Sequence, residues 1–415
     1  MRIAFFVYEY PPAVYGGLGT YATYLTRALV RRGHDVVVFT MNRGDVLRTR
    51  EIISGVEVHR PIGVSATNVF PLLVNEELRQ WGSFFNDIFV YNTLAAAKFV
   101  NQVMQQQQAP FDIVAVHDWL SAIAGLVVGN DTDLPIVFHV HSTEWGRRGD
   151  AGSPFVARLE REMAFEAHRI VTVSHAMKED LNRHGWSPQK VSVVWNGVDP
   201  EIYDPKRVPP EEIQELRGRY GLGPEDVMVL FVGRLTWVKG VRNLIQAMPA
   251  VLEAHPRSKL VILGKGEEQH DVDELVGRMD LGSQVVTHYA FVPEWERIVH
   301  YAAADVCVFP SVYEPFGIVS LEAMSMARPL VVGANGVVGF REQVIPTGKD
   351  QNGVHVNGND PGNIAWGIKV ILADRTQARE MGARGRTRVQ RYFTWDQVAE
   401  QTLEVYRAVV EEVRG

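Results

Sequence analysis

Short, nearly unbroken apolar runs recur along the whole chain, each separated from the next by a longer amphipathic stretch. This rhythm most constrains the fold. The runs fall at 3–8, 35–40, 56–60, 113–117, 136–141, 170–174 and 191–195, and again at 228–233, 259–264, 285–290, 305–310 and 329–333. β-rich runs without polar alternation must be buried on both faces, and the intervening helical stretches are long enough to cross over and cover them. The expected class is therefore α/β with doubly wound parallel sheets. A chain of 415 residues, 46% hydrophobic, is too long for one ordinary core. Between 196 and 210 the composition turns to Asn, Gly, Asp and Pro, and the strand–helix alternation restarts after it. This predicts two tandem domains, 1–205 and 206–394, with a cleft between them. The amphipathic stretch 395–415 has no strand of its own to cover, and it is expected to cross back onto the first domain. Loops at the carboxyl ends of the parallel strands should carry the ligands.

The bulk numbers exclude several classes. A net charge of -7 gives no footprint for a nucleic-acid polymer. The single cysteine, Cys307, lies in an apolar run and reads as a packed thiol, not a nucleophile. The opening run, Met1 to Tyr8, is strand-like and too short for a signal sequence or a membrane span, and no apolar run reaches eighteen residues. The expectation is a cytoplasmic protein with at most peripheral membrane contact. An aromatic-rich insertion at 76–108, with Phe84, Phe85, Ile88, Phe89, Tyr91 and Leu94, reads as a long helix or helix pair ending in the run Gln105 to Gln108. It either packs on the first sheet or walls an acceptor site.

The most informative motif spans 314–322, Glu-Pro-Phe-Gly-Ile-Val-Ser-Leu-Glu. An apolar strand precedes it and a helical run follows. A helix N-terminus therefore sits at the carboxyl end of a buried strand, where N–H groups near Gly317, Ile318 and Val319 lack intrahelical acceptors and suit an anion. Gly317 permits close approach to the backbone. Glu314 precedes the helix and Glu322 lies about a turn and a half into it. That spacing suits a phosphate flanked by hydroxyl-rich groups, as in a nucleotide sugar. A solvated helix face is the plainer reading of two glutamates alone.

Other strand ends carry chemistry as well. Gly16 and Gly17 open the helix after the first strand, without the spacing of a dinucleotide fingerprint or a Walker loop. His117-Asp118-Trp119 and His139-Val-His141 close two further strands of the first half. Arg234 and Lys239 follow the first strand of the second half and suit a diphosphate, the guanidinium as a fork and the ammonium as a point charge. Gly264-Lys-Gly266 closes the next strand and is read as close backbone approach to a nucleoside. Asp131-Thr-Asp133 lies at the wrong strand edge for a metal site. Asp271-Val-Asp273 falls at a helix start, where acidic residues are favoured by the dipole alone. No metal is expected.

Taken together, Gly16-Gly17, His141, Arg234 with Lys239, and Glu314 through Glu322 resemble the retaining glycosyltransferases of the GT-B fold, and within them family 4 and its glycogen and starch synthase relatives. The resemblance covers essentially the whole chain and implies two Rossmann-like domains. It implies that Gly17, beside Gly16, approaches the donor phosphate or sugar. His141 would lie at the sugar's primary hydroxyl, with its carbonyl facing the reacting carbon. Arg234 and Lys239 would hold the diphosphate, Glu314 the sugar hydroxyls and Glu322 the ribose. Val292 would lie beside the base, and Gly264, Phe316, Gly317, Ile318 and Val319 would line the donor. The implied reaction passes a hexose, glucose first, from a nucleoside-diphosphate sugar to a carbohydrate hydroxyl on one face of the sugar. It uses no cofactor and no carboxylate nucleophile. The chain departs from bacterial glycogen synthases in having Val14-Tyr15, not a lysine, before the paired glycines, and Ser142-Thr143 after His141.

The base of the donor (ADP, UDP or GDP) is not encoded in these patterns. An alternative acceptor is a small molecule, a sugar phosphate or a lipid-linked sugar. A 2-epimerase would need an acid/base carboxylate pair facing the sugar, a phosphorylase a lysine-bound pyridoxal phosphate, and a non-catalytic binding protein would show decay of the charged cleft residues. None of these fits the residues as well.

Overall fold

The computed structural model describes residues 1–63, 82–106, 109–290 and 292–415. They form two compact units. The first comprises Met1–Val173, Lys178–Trp195 and Trp395–Gly415, and the second Ser174–Met177 and Asn196–Thr394.

The first unit is built on an eight-stranded sheet: β1 (Arg2–Phe6), β2 (Asp35–Phe39), β3 (Arg50–Ile53), β4 (Val56–His59), β5 (Ile113–His117), β6 (Ile136–Val140), β7 (Arg169–Thr172) and β8 (Val191–Val193). The spatial order is β3-β4-β2-β1-β5-β6-β7-β8. Every pairing is parallel except β3 with β4. The central strands β1, β5 and β6 are buried at every position, as their unbroken apolar sequences require. The edge strand β3 was not anticipated. Its residues Arg-Glu-Ile-Ile are half exposed or fully exposed, so it lacks the apolar signature of the others.

Helix α1 (Gly17–Arg31) follows β1 and buries Tyr21, Ala22, Leu25 and Leu29. Helix α2 (Ser83–Lys98) forms the described part of the aromatic insertion and runs on through a π-helical turn, Phe99–Val103, as one continuous stretch. Phe85, Ile88 and Tyr91 are buried, whereas Phe84 and Phe89 are exposed. The Asn92 amide ties α2 to the helical segment after β5 by donating to Leu120 O (2.8 Å) and accepting from Ala124 N–H (2.8 Å). The rest of the anticipated insertion, 76–81 with Gln107 and Gln108, lies outside the described residues.

The second unit has six parallel strands: β9 (Val227–Val232), β10 (Ser258–Leu263), β11 (Val285–His288), β12 (Val306–Phe309), β13 (Leu330–Gly333) and β14 (Gly353–Val356). Their order is β11-β10-β9-β12-β13-β14. Its core packs Val229, Phe231, Ile262 and Val308 against Val241, Leu244, Ile245 and Met248 of helix α3 (Val241–Ala254). Strand β14 was also unanticipated. It opens on Gly353, where a Cβ would lie 2.6 Å from Leu330 O, so a glycine stands where a β-former would have signalled a strand. Helices α4 (Glu294–Ala303), α5 (Ile318–Ser325) and α6 (Arg375–Tyr392) belong to this unit.

The boundary falls at 195/196, ten residues before the expected 205/206. The segment read as a linker is bonded into the second unit: Arg386 donates to Pro200 O (3.1 Å) and Tyr203 O (2.8 Å) and pairs with Asp204 (2.9 Å). Its turn-rich composition reports chain direction, not freedom. The terminal helix α7 (Trp395–Arg414) groups with the first unit. Trp395 stacks on Tyr24 of α1 at 5.6 Å, and Asp396 pairs with Arg31. Among the described residues no helix is long and apolar enough to cross a membrane.

Candidate active site

In the second unit the strand ends β9, β10 and β12 present the charged groups. The turn after β9 carries Arg234 and Lys239 and ends at Gly240, which has φ +69 and no room for a Cβ, since Pro310 O would lie 2.3 Å away. The turn after β12 carries Glu314. It is fixed by backbone bonds from Glu314 N–H to Val337 O (2.9 Å) and from Gly339 N–H to Glu314 O (2.8 Å). These two turns bring Lys239 and Glu314 into a direct ion pair. Arg234 is exposed and forms no ion pair among the described residues. The ammonium is thus internally neutralised and the guanidinium is available.

Gly317 adopts φ +86 and caps α5, and a Cβ there would lie 2.1 Å from the Phe340 ring. Glycine is demanded here by conformation and by packing within the chain. The first N–H groups of α5, at Ile318 and Val319, have no intrahelical acceptor. Both residues are half-buried. The resemblance implies that Phe316 lines the donor. Its side chain is fully buried, with its ring 6.1 Å from that of Phe393, and it acts as a core anchor beneath the turn.

Gly264 also meets its need internally. At φ +145, a Cβ would lie 1.8 Å from Gly233 O, and Leu235 N–H donates to Lys265 O (3.1 Å). The loops after β9 and β10 are interlocked backbone to backbone, which accounts for this glycine without a nucleoside. Val292 is buried, and its neighbour Phe291 lies outside the described residues.

Glu322 lies in a network separate from that of Glu314. Its Oε1 accepts from the Tyr203 hydroxyl (2.9 Å) and Arg297 Nη2 (3.2 Å), and its Oε2 from the Tyr301 hydroxyl (2.9 Å) and Arg297 Nε (3.2 Å). Tyr203, Arg297 and Tyr301 escaped the sequence reading. The only available signal was that a buried carboxylate requires donors, and the sequence does not say which.

In the first unit the glycine turn is held by an unanticipated residue. Glu9 Oε2 accepts from the backbone N–H groups of Tyr15 (3.0 Å) and Gly16 (3.1 Å), so an internal carboxylate already occupies part of the turn ahead of α1. Gly16 is in extended backbone that any residue adopts. A Cβ at Gly17 would meet nothing within 4 Å, so packing within the chain does not demand that glycine.

His141 follows β6. Its N–H donates to Asp118 Oδ1 (2.7 Å), and its ring meets the Tyr21 ring edge-on at 4.3 Å. Asp118 itself sits at φ +53, uncommon for a non-glycine, and its N–H donates to His139 O (2.8 Å). His117 stacks on His139 at 4.5 Å, and the His139 ring is bonded at both nitrogens, to Tyr21 and Tyr406 hydroxyls (3.1 and 2.8 Å). Burial pushes the pKa values of all three histidines down. The lowering is large for His117 and His139, and Asp118 partly offsets it at His141. The stack is neutral near pH 7.

Beyond His141, Arg147 donates to Ser142 Oγ (2.5 Å), Glu144 Oε2 (3.0 Å) and Glu160 Oε1 (3.4 Å). Glu160 also accepts from Glu144 N–H (3.0 Å). Burial raises the Glu160 pKa to about 8 despite Arg147. This cluster sets the loop leaving the His141 strand. Of the two Asp-x-Asp triplets, the second is engaged: Asp271 pairs with Arg242 (3.3 Å) and Asp273 accepts from Tyr289 (2.5 Å). Among the described residues no group of three or more His, Cys, Asp or Glu has metal-binding geometry.

Two parallel-sheet α/β units with charged turns at strand carboxyl edges have the architecture of the GT-B fold. Residues 15–202 match the family described as Glycosyltransferase Family 4, and residues 212–388 match Glycosyl transferases group 1. The chain is 33% identical over 99% of both chains to an uncharacterized glycosyltransferase of Methanocaldococcus jannaschii. It is 30% identical to a glycogen synthase of Mycobacterium tuberculosis, over 98% of this chain and 95% of that one. The structure of sucrose-phosphate synthase from Thermosynechococcus elongatus superposes with a TM-score of 0.79 at 24% identity, covering 99% of each chain. The chain belongs to the family 4 glycosyltransferases.

Proposed function

We propose that this chain is a retaining hexosyltransferase that moves glucose from a nucleoside-diphosphate sugar to a sugar or glucan hydroxyl, without a metal or a resident cofactor. The observation that carries the reading is the Lys239–Glu314 pair beside an available Arg234. On donor binding, the diphosphate takes Lys239 over from Glu314, and Arg234 adds a second cation. The freed Glu314 carboxylate then accepts from the sugar hydroxyls. The bond from the anomeric carbon to the diphosphate oxygen breaks, and the two cations and the N-terminus of α5 stabilise the leaving charge. The acceptor oxygen bonds the same carbon on the same face, and its proton passes to the leaving phosphate. The low pKa of the histidine stack supports a positioning role for His141, not proton transfer. The open space at Gly17 supports close approach of the donor there. The glycogen synthase relative supports an α-glucan acceptor.

A second reading of the acceptor, a sugar phosphate, is favoured by Arg43. Its guanidinium lies 4.1 Å from the ring of the exposed Tyr15 and forms no ion pair among the described residues. A planar cation beside an exposed aromatic face suits an anionic sugar.

The test is nucleotide release from ADP-, UDP- and GDP-linked glucose and mannose, with glucose, glucose phosphate, maltose or glycogen added, and NMR of the product anomer. Acceptor-stimulated release with retained configuration is expected. An inverted product would sink the retaining mechanism, and no release from any donor would sink the transferase reading.

A further inference from the structure

We propose that Asp87 and Glu9, beside the exposed ring of Tyr15, form a subsite in the first unit that binds a neutral sugar residue of the acceptor and discriminates against a sugar phosphate. This subsite presupposes the transferase reading above and decides between its two acceptors.

Tyr8 follows β1, and helix α2 packs on it edge to face. The Tyr8 ring lies 6.4 Å from that of Phe84 and 5.8 Å from that of Tyr91. Asp87 stands three residues after Phe84 and four before Tyr91, so it shares the helix face that meets Tyr8. The Arg43 guanidinium lies 5.5 Å from the Tyr8 ring and 4.1 Å from the Tyr15 ring. Burial pushes the Tyr8 pKa up, Arg43 draws it down, and Asp87 and Glu9 both raise it. One guanidinium and two carboxylates therefore gather around this phenol. Arg43 alone would favour an anion. With both carboxylates counted, the group carries a net negative charge and opposes a phosphate.

Each carboxylate is held on one oxygen. Glu9 Oε2 accepts from the N–H groups of Tyr15 (3.0 Å) and Gly16 (3.1 Å), and the Asn86 amide reaches Asp87 Oδ1 at 3.5 Å. Glu9 Oε1 and Asp87 Oδ2 accept no hydrogen bond among the described residues, and both residues are half-buried. An ionised carboxylate only accepts, so a sugar hydroxyl satisfies the open oxygens and a phosphate oxygen does not. Tyr15 is 56% exposed, and its own N–H is one of the two that hold Glu9. The ring thus stands on the backbone that fixes the carboxylate. It supplies apolar area for the C–H face of a sugar, while the carboxylates take the hydroxyls. Through Asp87 the aromatic insertion takes part in acceptor choice.

The experiment is steady-state kinetics of the full-length protein with its best nucleoside-diphosphate glucose and, in turn, maltose and glucose phosphate as acceptor. The variants are Asp87→Asn, Glu9→Gln, their double variant and Tyr15→Ala, with melting curves to confirm folding. Each amide keeps the oxygen that the chain bonds and presents N–H in place of the open oxygen. Asp87→Asn and Glu9→Gln should each lower the ratio of kcat/KM for maltose to that for glucose phosphate by about tenfold, the scale of one hydrogen bond to a charged group. Tyr15→Ala should raise KM for maltose several-fold. A purely structural role would impair both acceptors alike, and an unchanged ratio in the folded variants overturns the subsite. If wild type prefers glucose phosphate to maltose, the neutral-sugar assignment falls and the transferase reading stands. If wild type transfers to neither, the subsite falls, and if it also releases no nucleotide from any donor, the transferase reading falls with it.

Discussion

Lys239 and Glu314 neutralise each other across two turns that are 75 residues apart in sequence. In the reaction proposed above, this pair holds the phosphate cation in reserve: a diphosphate would take the place of the Glu314 carboxylate, and that exchange would couple donor arrival to release of Glu314.

That exchange predicts lower turnover on loss of either member and tighter pyrophosphate binding on loss of Glu314. Lys239→Ala should lower turnover roughly 10²- to 10³-fold, the usual consequence of removing one preorganised charge-stabilising donor. Glu314→Gln should tighten inorganic pyrophosphate several-fold while lowering turnover, since the cation is no longer shared. Calorimetry with pyrophosphate and steady-state rates measure both. Near-wild-type turnover in Lys239→Ala would remove the clamp.

Arg43→Ala should raise KM for a phosphorylated acceptor about tenfold or more and leave KM for neutral acceptors within a factor of two, because only the anion uses the charge. Equal effects on both acceptor classes would count against the sugar-phosphate reading.

Glu160 predicts a pH dependence of stability. Burial holds it protonated up to about 8 in the folded chain, against an ordinary value of 4.5. Between those values the folded state binds more protons than the unfolded one, so its contribution is present at low pH and lost as pH rises through the window. Glu160→Gln should therefore gain stability relative to wild type between pH 5 and pH 8, by on the order of a few kcal/mol. Urea unfolding of both proteins at the two pH values checks it. A difference that does not change with pH would mean that Glu160 is ionised.

The terminal helix predicts a purely structural loss. Tyr406→Phe strips the His139 ring of one of its two partners and leaves a buried nitrogen unpaired. The cost should be about 1–3 kcal/mol. Unfolding midpoints measure it, and an unchanged midpoint would show that α7 does not support the stack.

The parts of this molecule legible in sequence were those with a local cause. Strands β1, β5 and β6 are buried throughout and announce themselves as apolar runs. Strand β3, with its exposed Arg50 and Ile52, and β14, starting on a glycine, carry no such pattern. The turn at 314–322 was legible because glycine and the strand–helix junction define it. Phe316 was read with its motif neighbours as lining the donor, and nothing along the chain signalled that its ring faces Phe393, 77 positions away by residue number. Gly264 was read as making room for a ligand, but the atom it makes room for is Gly233 O. The segment 196–205 read as a linker because composition shows where a chain turns, and only the Arg386 contacts show that it is held.

By itself the sequence determined two parallel-sheet units and put the chemistry at their strand ends, because burial of a strand and exposure of the loop after it are local, periodic properties. Tertiary structure alone decided which of those charges remain available. Lys239 is taken by Glu314, Arg234 is not taken, and Glu322 is filled by donors 119, 25 and 21 residues away. Hydrogen bonds and ion pairs are formed through space at about 3 Å, and nothing in the spacing of residues along the chain fixes which partners arrive there.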